Sequence, residues 1–365
     1  MIVECEIDKI KNAVLLAEKI TGKNLTLPVL SSILFVAEGK ILTLKAMNLS
    51  LGIEIQIPAK IESPGTLAIN GSSIANVFSN IIQKENIKLE GSEGNLLIKT
   101  KKNKIKLKGM PYEDFPSIPV VKGEEFEIDS KKIIEGIKSV SYSSSISDIK
   151  PEISSIYIYS KEDNMIFVAT DSFRLAEKKI KLKKDINIPG ILIPNKNVGE
   201  IIRVFGDNSG DIKVCFNKNQ ISFSQDNIYL TSRVIDGVYP DYRQIIPKEQ
   251  KTEIVLLKQD LLNALKISNI FSDKFNQLDL NVNISEKVFE LSSSNNDIGD
   301  NKTYLDAVLK GEDVSLSFNY KYFLDCFPSI TTDSVSIKLD GSSRPMVVNP
   351  VGDTSFTYLI MPMNR

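Results

Sequence analysis

The chain has 365 residues, of which 42% are hydrophobic and 25% charged, with a net charge of −1 and no histidine. That length exceeds what one core usually organises, so two or three domains are expected. Without histidine the usual general base, nucleophile activator and metal ligand are missing, which places binding well ahead of catalysis. No apolar run approaches the ~20 residues that span a bilayer, so no membrane partner is expected. The first residues, Met1-Ile2-Val3-Glu4-Cys5-Glu6, carry acids where a secretory signal carries bases, and a cytoplasmic location is the expectation. Cys5, Cys215 and Cys326 are far apart in apolar segments, which suits core packing better than a disulfide or a metal.

In chain order, residues 2–7 read as a strand. A helix over 10–20 follows, with Asp8 as its expected N-cap and Ile10, Val14 and Ala17 on one face. Strands are predicted at 33–37, 41–46 and 51–57, then at 65–69. A second helix runs to residue 82, capped by Ser72 or Ser73. Strands at 87–89, 96–100 and 105–107 end the first segment at Met110-Pro111-Tyr112-Glu113-Asp114-Phe115-Pro116. The same order then repeats. Strand 125–129, helix 132–140, strand 189–193 and helix 198–205 lead into strands at 212–216, 221–224 and 229–234. A third copy has strand 252–256, helix 261–270, strand 314–318, helix 320–327 and strands at 335–339, 346–349 and 356–360. The expected architecture is α+β, with antiparallel sheets and helices on one face. It comprises three similar domains, 1–121, 122–249 and 250–365, each of two β-meander/helix half-units. Repetition at this scale argues for a curved or closed arrangement.

In the centre, Met165 to Ala169 is apolar, Thr170-Asp171-Ser172 is a turn signal, and Phe173-Arg174-Leu175-Ala176 leaves the corner. It reads either as an ordinary bulged hairpin corner or as the wall of a peptide groove. Across five helix windows (9–19, 131–138, 196–203, 258–266 and 321–325) there are eleven basic and five acidic residues. That excess suits a surface facing phosphates without base-reading motifs, although a solvated basic face is the plainer account. No phosphate-binding glycine loop is present. Ser143–Ser145 and Ser292–Ser294 read as loop composition, since no activating base is placed near them. Lys101-Lys102-Asn103-Lys104-Ile105-Lys106-Leu107-Lys108 alternates lysine with apolar residues. This is either an edge strand protected by charge or an edge that pairs with another subunit.

The chain resembles the bacterial sliding clamps, the beta subunits of DNA polymerase III, from end to end. The resemblance rests on Thr26-Leu27-Pro28-Val29-Leu30, Val168-Ala169-Thr170-Asp171-Ser172-Phe173-Arg174-Leu175-Ala176, Asp236-Gly237-Val238-Tyr239-Pro240-Asp241-Tyr242-Arg243 and Met361-Pro362-Met363. It implies a crescent that dimerises head to tail into a closed ring around duplex DNA. It also implies no catalytic activity and no cofactor, and a role in tethering the polymerase. The implied partners are double-stranded DNA, a second copy of the chain, the polymerase alpha subunit, the clamp loader and other clamp-binding proteins. The implied peptide groove is Ile153, Thr170, Phe173, Arg174, Leu175, Pro240, Ile245, Asn319, Tyr322, Pro345, Leu359, Met361, Pro362 and Met363, with Arg174 hydrogen-bonding peptide carbonyls. Lys23, Asn24, Lys150 and Lys196 match DNA-contact positions, beside the departures Pro151 and Glu152. Lys102, Lys104, Ile105 and Leu107 match one side of the subunit interface. Ile270 and Phe271 match the other, with Asp297 or Asp300 as acidic counterparts.

Overall fold

The computed structural model describes residues 1–22, 26–82, 86–182 and 186–363. Its helices are α1 (Ile7–Ile20), α2 (Gly71–Asn80), α3 (Ser130–Ser141), α4 (Asn195–Phe205), α5 (Lys258–Ile270) and α6 (Tyr320–Asp325). All six expected helices are there, with starts that differ from the sequence reading. In α1 the residue before the helix is Glu6, which makes no side-chain cap, and Asp8 lies inside the first turn. Ile7 is buried, and burying it draws the helix three residues earlier; Asp8 then favours the positive end of the helix dipole. In α2 the cap is Asn70, whose side chain accepts from the Ser73 N–H at 3.0 Å, so neither Ser72 nor Ser73 caps it. Ser292–Ser294 is part of the strand Val288–Asn295. Ser293 is buried and donates to the Ser268 carbonyl, so small polar residues there let α5 approach the sheet.

The chain forms two compact units, residues 1–131 with 196–234, and 132–195 with 235–365. The first holds a thirteen-stranded antiparallel sheet around Phe35, Phe78, Phe205 and Phe223. The second holds sheets of nine and four strands around Phe167, Phe289, Phe318, Phe323 and Phe356. No helix among the described residues is long and apolar enough to cross a membrane. All three cysteines are buried and free.

One pairing rule recurs in all three domains. The strand that leads into a helix joins the meander of the other half-unit. Ile2–Glu6 pairs with Asn86–Ser92, and Gly65–Asn70 with Ser32–Glu38. Glu124–Asp129 pairs with Asp211–Phe216, and Ile191–Pro194 with Ser155–Lys161. Thr252–Leu257 pairs with Ser334–Leu339, and Val314–Asn319 with Gln277–Asn283. Each of the two half-units in a copy is thus completed by a strand from its neighbour. The last strands of the meanders also pair across domain boundaries. Leu51–Pro58 meets Ile228–Arg233 in the first unit, and Arg174–Lys181 meets Phe356–Ile360 in the second. Sheets therefore run through the junctions between sequence copies.

Candidate functional site

The central corner enters as the strand Asn164–Thr170 and leaves as Arg174–Lys181. Asp171 Oδ1 accepts from the N–H groups of Phe173 (2.9 Å) and Arg174 (3.0 Å), and the Thr170 hydroxyl donates to the Arg174 carbonyl at 2.6 Å. Ser172 takes φ = 77°, a left-handed conformation that costs a non-glycine residue about 1–2 kcal/mol. The local hydrogen bonds offset that strain. They hold the Phe173 ring out in solvent, 60% exposed.

Leu175 sits opposite Leu359 in the sheet, and both belong to a buried cluster with Val347, Tyr239 and Tyr242. The segment that follows the central domain is anchored on this cluster. The Tyr242 hydroxyl donates to the buried Glu177 carboxylate and meets the Tyr159 hydroxyl at 2.8 Å, and Arg243 donates to Tyr159 at 2.6 Å. A buried carboxylate needs such donors. Burial first, and Glu177 next, push the Tyr242 phenol well above its ordinary range. Anchoring leaves Ile245 on the rim, half exposed. The tail closes the other side: the Met361 N–H donates to the Phe173 carbonyl and the Met363 N–H to the Ser317 carbonyl, each at 2.8 Å.

The result is a shallow, open apolar pocket lined by Thr170, Ser172, Phe173, Arg174, Leu175, Ile245, Leu359 and Met361. A methionine, a phenylalanine and branched aliphatic side chains around a few backbone carbonyls suit adaptable apolar recognition. Seven of the expected groove residues are brought together there. Tyr322 adjoins them through Arg174, whose guanidinium lies 4.6 Å from its ring centre. Met363 adjoins them through the tail. Ile153, Pro240, Asn319, Pro345 and Pro362 do not line this pocket. Asn319 is occupied as the cap of α6, accepting from Lys321 N–H, and Pro345 is buried.

Arg174 is tied into the fold by two carboxylates. Its Nε donates to Asp171 at 2.9 Å and its Nη1 to Asp325 at 2.5 Å, with the side chain 11% exposed. Burial opposes its charge, but the Tyr358 hydroxyl and the two carboxylates raise its pKa above the usual value. Two of the guanidinium's nitrogens, Nε and Nη1, are thus committed within the fold, and the residue also lines the pocket. Asp325 is not recognisable as the partner from sequence, because it stands in the third copy and only the sheet pairing brings it near.

Two further surfaces carry expected residues. Lys104–Met110 pairs along one side with Asn95–Lys99 and on the other touches Gly65–Asn70 only at Gly109 and Met110. Among the described residues the backbone of 104–108 is therefore a bare edge, with Lys102 and Lys104 exposed and Ile105 and Leu107 half-buried. Gly299–Tyr304 pairs with Val288–Asn295 and has no second partner among the described residues. Around it Ile267, Ile270, Ile298 and Tyr304 are exposed, Phe271 lies beside Gly299, and Asp297 and Asp300 add acids. Of the DNA candidates, Lys23 and Asn24 lie outside the described residues. Lys150 and Lys196 are exposed, each in its own unit, and Glu152 packs against Gly237. Much of the basic excess on the helices is paired within the fold. Lys11 donates to the carbonyls of Ser79 and Ile81 at the end of α2, and Lys258 to that of Ile330. Lys9, Lys19 and Arg203 have carboxylate neighbours.

Comparison with known proteins accounts for this architecture. Family models of the DNA polymerase III beta subunit match residues 1–119 as the N-terminal domain, 127–241 as the central domain and 243–364 as the C-terminal domain. The beta sliding clamp of Staphylococcus aureus is 28% identical over 348 residues, covering 93% of this chain and 92% of the relative. That of Synechococcus elongatus is 25% identical over 346 residues, covering 92% of each. The DNA polymerase sliding clamp from Bacillus subtilis superposes with a TM-score of 0.94 at 23% identity, over 100% of this chain and 99% of that one. A Pseudomonas aeruginosa clamp solved bound to griselimycin gives 0.94 at 22% identity, over 100% of both chains. The chain belongs to the DNA polymerase III beta subunit family, the bacterial beta sliding clamps.

Proposed function

We propose that this chain is a DNA sliding clamp, a non-catalytic processivity factor that closes as a head-to-tail homodimer around duplex DNA and docks partner proteins by short peptides. The observation that carries the ring is the pairing of terminal meander strands. Two junctions within the chain are made by such pairs, which leaves Lys104–Met110 and Gly299–Tyr304 as their unpaired equivalents. Pairing one with the other between two copies satisfies both bare edges. It sets lysines 102, 104, 106 and 108 against Asp297 and Asp300, and Ile105 and Leu107 against Ile270 and Phe271. Because the interface between two identical copies is made twice, the assembly closes.

DNA contact in this reading is sequence-independent and topological, with Lys150 and Lys196, together with Lys23 and Asn24, toward the phosphates. The pocket beside Phe173 and Met361 takes an apolar and aromatic peptide end from the polymerase alpha subunit, the clamp loader or other clamp-binding proteins. Its shallow form and soft lining favour many partners of modest affinity. The decisive experiment loads the protein on nicked circular plasmid and then linearises it. Retention on circles and loss from linear ends is the expected result. Equal loss from both, or a stable monomer at micromolar concentration, overturns the ring and leaves a peptide-binding scaffold.

A further inference from the structure

The corner that opens the peptide pocket has a counterpart in the first unit. There Asn48 Oδ1 accepts from the N–H groups of Ser50 (3.2 Å) and Leu51 (2.9 Å), and Asn48 N–H donates to the Leu51 carbonyl at 3.0 Å. Asp171 makes the same bonds with Phe173 and Arg174. The residue after each acceptor is left-handed, Leu49 at φ = 71° and Ser172 at φ = 77°. Each corner then enters a strand that pairs across a domain boundary, with Gly52 opposite Thr231 where the other has Leu175 opposite Leu359. Residue for residue, Gly52 stands for Leu175 and Thr231 for Leu359.

At this first corner the space above the sheet is filled. A Cβ on Gly52 would stand 3.0 Å from Cγ2 of Ile118 and 3.4 Å from Cγ2 of Thr231. Ile118 therefore rests on the bare backbone of Gly52. It is buried with Leu30 and Met47, beneath Leu27, Phe115 and Tyr229. Tyr229 fastens the chain just beyond it, accepting from Val121 N–H and donating to the Pro119 carbonyl, each at 2.9 Å. Ile118 stands three residues after Phe115 and Ile245 three after Tyr242, each counted from the aromatic that packs on its corner's cluster, in segments that leave the ends of the first and second domains. Ile246 follows and packs partly buried on the Leu175 cluster. Ile118 is inside and Ile245 half exposed on the rim. The difference lies under them: a leucine side chain at 175 occupies the space that glycine at 52 leaves open.

We infer that the first corner is a pocket of the same class, occupied in cis by Ile118, and that Leu175 keeps the second corner open by denying Ile245 that position. The chain thus presents one docking site where its repeat would supply two. This rests on the peptide-docking reading of the second corner.

The test is calorimetric stoichiometry on the full chain, with a short synthetic peptide whose last two residues are leucine and phenylalanine. Wild type is expected to bind one peptide per chain, and Ile118→Ala two, with circular dichroism confirming that the variant is folded. A folded Ile118→Ala that binds one peptide overturns the inference, and so does a wild type that binds two. A wild type that binds none overturns the groove itself. A second arm avoids the buried substitution. Leu175→Gly should lose affinity because Ile245 falls into the pocket, so Leu175→Gly with Ile245→Ala should bind several-fold more tightly than Leu175→Gly alone. Equal or weaker binding by the double variant shows that Leu175 serves only as a contact.

Discussion

Arg174 reaches from the central domain to Asp325 at the end of α6, Nη1 to Oδ2 at 2.5 Å, while its Nε holds Asp171 in the same corner. One side chain thus ties the corner that presents Phe173 to the helix beside the chain's tail. Removing it takes the cation from a nearly buried carboxylate, Asp171, 14% exposed, and leaves it only its backbone donors. Arg174→Ala is expected to lower stability by about 2–4 kcal/mol and to weaken peptide binding roughly tenfold. Asp325→Asn keeps the arginine's contact with Asp171 and costs about 1 kcal/mol, with peptide affinity nearly intact. Chemical denaturation and fluorescence anisotropy on the two variants check this. Equal loss of peptide binding in both would show that the tie to Asp325, and not the Asp171 corner alone, shapes the pocket.

Met361 lines the pocket with its side chain while its backbone is fixed to Phe173. Met361→Ala should therefore cost peptide affinity, about tenfold for a lost apolar contact of this size, without moving the tail. Met363→Ala should cost less, since Met363 does not line the pocket. Both variants should sediment as dimers. A monomeric Met361→Ala would mean that the tail serves assembly rather than docking.

The bare edge gives a sharper assay of assembly. Leu107→Asp places a carboxylate among apolar residues and removes a packing group, while the exposed face of the strand keeps its lysines. Sedimentation at micromolar concentration should show a monomer, with the melting temperature within a few degrees of wild type. Loss of folding in place of dissociation would show that Leu107 belongs to the core of its own domain.

Glu200 gives a pH dependence of definite sign. Burial raises its pKa, Arg203 only partly opposing, and its Oε2 is buried without a hydrogen bond. A carboxyl with a raised folded-state pKa favours folding while protonated. That contribution is complete below its unfolded value of about 4.3 and is lost as pH rises through the folded value. Glu200→Gln should therefore melt higher than wild type at neutral pH, and the difference should vanish near pH 4. A variant less stable at pH 7 would show that the Arg203 pair outweighs burial.

Tyr242→Phe removes the hydroxyl donor from buried Glu177, cuts its link to Tyr159 and leaves Lys179, 3.3 Å from the other carboxylate oxygen, as its charged neighbour. A stability loss of about 1–3 kcal/mol is expected for the under-satisfied group. Guanidinium denaturation measures it. The loss should shrink in the double variant with Glu177→Gln, because the charge that needs the donor is gone.

Helix existence and the threefold order were legible because apolar periodicity is local, as Ile10, Val14 and Ala17 show in α1. Helix starts were less so. Asp8 and Ser72 are good caps by type, but burial of Ile7 and the Asn70 side chain decided the matter. The corner at Asp171 was legible as a turn, and Phe173 and Leu175 as its wall. The pairing of Arg174 with Asp325 was not, since residues 151 apart in sequence meet only through the Leu175–Leu359 register. Lys178 illustrates the same limit. Nothing in the charged run from Glu177 to Lys181 singles it out, yet it is buried against Glu135 and Ser355.

The exchange of helix-leading strands bears on how such a chain is made. Val3 pairs with Leu89, Phe126 with Val214 and Val255 with Ser336, so no meander is complete until most of its domain has been synthesised. Closing such long loops before any reward from contacts slows folding. On the ribosome each domain should stay protease-sensitive until its final meander emerges and should then become resistant in one step. A fragment cut between its two helices should recover order only when mixed with the missing half.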